Sequence, residues 1–85
     1  MDKNIITIRQ PKTLMQAHEQ LVRLRPARDA SLSAWLAYYR HSVAVYEQIA
    51  KVDPCHDTEA RYWAQREQAC AQQIAARIAA DRSNR

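Results

Sequence analysis

The sequence predicts an all-α protein: three helices dominated by a long antiparallel helical hairpin, preceded by a short extended N-terminal tail. Three observations predict it. The 85 residues include no glycine, but fifteen alanines, ten arginines and eight glutamines, a composition that favours helix. Apolar residues recur at steps of three and four over three consecutive segments. The segment ends carry proline or polar capping residues, so no turn demands a left-handed glycine. The length fits one small domain.

Residues 1–11 read as the tail. Ile5, Ile6, Thr7 and Ile8 are all β-branched and prefer an extended backbone. Such a run is expected to lie across its own helices. Pairing with a partner strand and plain disorder are the alternatives.

The single helical domain spans residues 12–82. Its first helix is expected from Lys12 to Arg25. Thr13 followed by Gln16 fits a capping box, and Leu14, Ala17, Leu21 and Leu24 make one stripe. Arg23 and Arg25 suit a helix C-terminus, and Pro26 ends the helix.

The second helix follows the N-cap Ser31 and ends at Asp53-Pro54. Leu32, Leu36, Tyr39, Val43, Tyr46 and Ala50 form one stripe, and Trp35, Tyr38, Ser42, Val45 and Ile49 form another beside it. Together they cover close to half the circumference, so this helix must touch two neighbours. Arg40, Glu47, Gln48 and Lys51 hold the opposite face.

The third helix begins near Asp57 or Thr58 and runs to about Ala80. Its apolar face, Ala60, Trp63, Ala64, Cys70, Ala71, Ile74 and Ile78, is mostly small, which predicts a close approach to the second helix. Residues 83–85 are expected to fray.

Without glycine the chain holds no P-loop, dinucleotide fingerprint or glycine-based oxyanion turn. No apolar run is long enough to span a membrane, and MDKNIITIRQ lacks the apolar core of a secretory signal, so a cytoplasmic location is expected. Cys55 and Cys70, fifteen apart, are too distant for a bridge if they share a helix, which predicts two free thiols.

Two polar residues fall on apolar faces. Glu67 sits near the centre of the third helix's stripe, and His18 sits between Leu14 and Leu21. A buried carboxylate needs a partner, so Glu67 is expected to bond to His18, to a helix-2 tyrosine hydroxyl such as that of Tyr39, or to an arginine. A polar contact that fixes helix register is the favoured role. A small-ligand or metal site around His18, Tyr39 and Glu67 is a minor alternative.

Cys55, His56, Asp57 and Glu59 cluster at one turn, but lack the spacing of a metal site. No nucleophile has a base and oxyanion donors in evident reach, so an enzyme is not expected, nor a cofactor. The net charge of +4 is local: residues 1–30 carry six Lys/Arg against three acids. Arg23, Arg25 and Arg28 form the one basic patch, which makes nucleic acid a second-ranked partner. The third helix is too long and too balanced in charge for a recognition helix. Tyr38, Tyr62, Arg61 and Arg66 are the candidate surface contacts, because aromatics beside arginine often anchor interfaces.

The run Ser31-Leu32-x-x-Trp35-Leu36-x-x-x-Arg40, then Val45-Tyr46, Asp53, His56, Glu59-Ala60 and Tyr62-Trp63-Ala64-x-Arg66-Glu67 resembles small all-helical proteins of actinobacteria. The resemblance covers about residues 14–78 and implies a helical fold and a bacterial origin. It implies no activity, and no site residue comes with it.

The thin core and the broad apolar arc of the second helix lead to one functional expectation. The chain is a non-enzymatic protein-interaction module, a small accessory or regulatory protein that binds a protein partner or itself, most simply as a homodimer.

Overall fold

The computed structural model describes residues 10–84. The expected extended run of residues 5–8 and the last residue of the chain lie outside these. Three α-helices follow in order: α1 (Leu14–Leu24), α2 (Leu32–Val52) and α3 (Asp57–Ser83), with a one-turn 3-10 helix at Pro54–His56 joining α2 to α3. No strand occurs among the described residues. No helix there is long and apolar enough to cross a membrane.

Each helix starts where its capping chemistry allows. The Thr13 hydroxyl accepts the Gln16 N–H at 3.2 Å. Gln16 reaches back, but one residue beyond the usual capping box: its Oε1 accepts the Lys12 N–H at 2.9 Å. α1 therefore begins at Leu14, two residues later than expected. Ser31 caps α2 by accepting the Ala34 N–H at 3.1 Å. α3 begins at Asp57 with Asp57 and Glu59 in its first turn, where the helix dipole favours carboxylates. It runs to Ser83, three residues past the expected end, because Ala79 to Arg82 contain no helix breaker.

α2 and α3 form the antiparallel hairpin. Side-chain pairs mark its register: Tyr46 stacks on Trp63 with ring centroids 6.2 Å apart, and Ser42 and Tyr39 of α2 lie beside Glu67 and Cys70 of α3. Steps of four and three back along α2 match equal steps forward along α3. The close approach comes from alanine. Ala60, Ala64 and Ala71 are the buried residues of α3, so the α2 backbone can come near.

α1 lies against the other flank of the α2 arc. The buried residues of α2 are Ser42, Val45, Tyr46 and Ile49, and Tyr46 meets both His18 of α1 and Trp63 of α3. Leu14, Ala17 and Leu21 complete the core. Leu24, the expected fourth member of the α1 stripe, is 40% exposed, because the chain leaves the hairpin there for the Pro26 turn.

Asp53 holds the lower end together. Its Oδ2 accepts the Leu14 N–H at 3.1 Å across 39 residues of sequence, and the same carboxylate meets Nδ1 of His56 at 3.0 Å. One side chain thus ties the start of α1 to the turn between α2 and α3.

Among the described residues nine hydrophobic side chains are buried, of which four are alanine, so five larger ones carry most of their apolar stabilisation. Each contributes on the order of 1.5–3 kcal/mol.

Candidate binding groove

α1 has 11 residues and α2 has 21, so α1 spans about 16 Å of an α2 that is about 31 Å long. α1 meets α2 from Asp53, whose carboxylate accepts the Leu14 N–H, to Tyr38, whose hydroxyl donates to the Leu21 carbonyl. Above that point, among the described residues, the upper part of the hairpin consists of α2 and α3. Its large apolar side chains, Leu32, Trp35, Leu36, Tyr39, Ile74 and Ile78, are all half-buried rather than buried. On α3 the same stripe ends in Arg77 and Asp81, both exposed.

Where α1 ends, the groove widens into a cleft of about 360 Å³. α1 contributes His18, Leu21 and Val22; the α1–α2 connection contributes Arg25. α2 supplies Tyr38, Tyr39 and Tyr46, and α3 supplies Trp63, Arg66, Glu67 and Cys70. The helical spacing of three and four explains why each helix presents several of these side chains to one space.

The expected trio of His18, Tyr39 and Glu67 meets in this cleft, with different bonding from that expected. His18 takes Tyr46 as its partner: Nδ1 lies 2.7 Å from the Tyr46 hydroxyl. The imidazole also meets Trp63 edge-to-face at 5.2 Å. Glu67 lies beside Ser42, a fully buried residue absent from the expected site. Ser42 reads in sequence as a small member of an apolar stripe. Only the hairpin register shows that its hydroxyl faces Glu67.

The Ser42 hydroxyl also donates to the Tyr38 carbonyl at 3.0 Å. A hydroxyl has one proton and two lone pairs. When Glu67 is protonated it can donate to Ser42 Oγ while Ser42 keeps its bond to Tyr38. When Glu67 is ionised, both acceptors compete for the one Ser42 proton. Burial raises the Glu67 pKa; nearby Arg66, the Ser42 bond and Arg25 pull it the other way, and burial prevails. Burial also pushes the Tyr46 hydroxyl up to about 12, so it remains a hydroxyl at neutral pH.

The expected surface contacts separate. Tyr38 is half-buried, and its hydroxyl donates to the Leu21 carbonyl at 3.1 Å, bolting α1 to α2. Tyr62 is 59% exposed and leans edge-on against Trp63. Arg61 pairs with Asp57 one turn away at 3.7 Å, and Arg66 lies over the Trp63 ring at 5.1 Å. In the basic patch, Arg23, Arg25 and Arg28 are all exposed, and Arg25 lies over the Trp35 ring at 5.9 Å. Arg25 thus belongs to the cleft as much as to the patch.

Cys55 lies in the 3-10 turn, not on α3; it and Cys70 are free thiols, Cys55 exposed and Cys70 half-buried. Among the described residues no three His, Cys, Asp or Glu side chains are grouped to hold a metal ion. Comparison with protein families, with curated proteins and with solved structures found no match.

Proposed function

We propose that the chain is a helical protein-interaction module that pairs with a second copy of itself through the upper half of the α2–α3 groove. One observation carries this reading. α1 is half the length of α2, and six large apolar side chains above it remain half-buried. Covering such a face removes apolar area from water, which a five-residue set of large core side chains makes valuable.

A second copy suits this face because its charges are self-complementary. Arg77 and Asp81 stand four apart on one stripe of α3. Two α3 helices laid antiparallel about a two-fold axis near Ala79 bring Arg77 of each against Asp81 of the other. This is an isologous contact of the kind closed dimers use. The module would serve as an accessory or regulatory partner without chemistry of its own.

Light scattering across micromolar concentrations tests the pairing. A dimer is expected, and Ile74→Asp should convert it to a folded monomer. Arg77→Asp should weaken the dimer, and Arg77→Asp combined with Asp81→Arg should restore it. A wild-type chain that stays monomeric and well folded overturns the reading.

A further inference from the structure

We propose that the cleft beside α1 binds a small aromatic carboxylate, its ring seated among Trp63 and the α2 tyrosines and its carboxylate held by Arg25 and Arg66. This site adjoins the proposed dimer face and shares Tyr39 with it, so light scattering alongside the titration separates ligand binding from pairing. A volume of about 360 Å³ is at the small end for ligand pockets, enough for a one- or two-ring molecule.

The chemistry of the lining selects the class. Tyr38, Tyr39, Tyr46 and Trp63 all border the cleft, an aromatic lining that favours a planar ring. Both guanidinium groups are oriented by an indole: Arg66 over Trp63 at 5.1 Å and Arg25 over Trp35 at 5.9 Å. A cation–π contact occupies the guanidinium face and leaves its edge N–H donors for an anion. An edge pair of donors matches the two oxygens of a carboxylate.

Charge decides between an anion and a cation. An aromatic box with a carboxylate also suits a quaternary ammonium ligand. Here two arginines face one carboxylate, and Glu67 favours its neutral form more than an exposed glutamate does. The cleft is therefore net positive and excludes a cation.

The test titrates the full chain with benzoate at low salt, following tryptophan fluorescence and the Trp63 indole N–H by NMR. Saturable binding below about 10 mM is expected, with benzamide binding at least about tenfold more weakly, the loss of one charge-assisted contact. Arg66→Gln should weaken benzoate by about tenfold or more, and Glu67→Gln should tighten it, by the same contact logic. Circular dichroism establishes that both variants fold. The proposal fails if benzoate does not saturate, if benzamide binds equally, if Arg66→Gln changes nothing, or if benzyltrimethylammonium binds in preference to benzoate.

Discussion

Asp53 shows how much one side chain can hold. It accepts the first N–H of α1 and the His56 ring, and it stands at the C-terminal cap of α2. The His56 bond, then the Leu14 N–H, lowers the Asp53 pKa; Asp53 in turn raises the His56 pKa. The two signs define a window. The Asp53 contribution is present above its unfolded value near 3.8 and is lost as pH falls through its lower folded value. The His56 contribution is complete below its unfolded value near 6.5 and is lost as pH rises through its higher folded value. The pair is fully formed between these limits. Thermal melts of Asp53→Asn should show a lower melting temperature throughout that window and a flatter pH profile than wild type.

Glu67 acts in the opposite sense from a salt-bridged carboxylate. Its raised pKa means that the fold prefers the neutral form, so its contribution is fullest below the unfolded value near 4.5 and is lost as pH rises through the folded value. Glu67→Gln should keep the Ser42 contact with an amide and remove that loss. Denaturant titrations should find the variant at least as stable as wild type at pH 7, with a weaker pH dependence above pH 4.5. A large destabilisation at pH 7 would show that ionised Glu67 is the form the fold requires.

Among the elements, the hairpin and α1 are held by different means. α2 and α3 meet over most of their length through alanines and stacked rings, whereas α1 depends on three buried residues, the Asp53 bond, the Tyr38 bolt and its cap. α1 should therefore exchange its amide protons faster than the centre of α2. Thr13→Ala removes the α1 cap and should cost about 1 kcal/mol. Ile49 is wholly buried in the core cluster. Ile49→Ala should cost about 2–5 kcal/mol, a large share of the stability of so small a core.

The pattern of three and four made these elements legible. Thr13, Ser31 and Pro54 mark helix boundaries by their own backbone chemistry, so α1 and α2 begin and end within two residues of expectation. The end of α3 was harder to read, because an alanine-rich run continues a helix as readily as it frays. The broad arc of α2 correctly required two neighbours. What it could not supply was the partner of each polar side chain. Ser42 and Tyr46 look like stripe members, and they became the partners of Glu67 and His18 through the relative rotation of three helices.

At the scale of the molecule, α1 is shorter than the hairpin, and among the described residues Leu32, Leu36, Ile74 and Ile78 form a half-buried apolar face above it. If a second copy covers it, the melting temperature should rise with protein concentration, since association stabilises the folded chain by mass action. Arg23, Arg25 and Arg28 bear on a separate question. A gel shift at low salt that disappears with added salt would favour the nucleic-acid reading; its absence would leave these arginines to the α1 terminus and the cleft.

The sequence by itself determined that this protein is helical, where its helices lie and which faces they bury, because those properties follow from local propensity, capping and periodicity. Its lack of glycine likewise excluded whole classes of phosphate-binding and catalytic loops. Only the tertiary structure decided how far α1 reaches along the hairpin and which side chains share the cleft. Both depend on helix register and rotation, which are set by packing between segments far apart in the chain. A shift of one residue would leave every helix intact and separate Glu67 from Ser42.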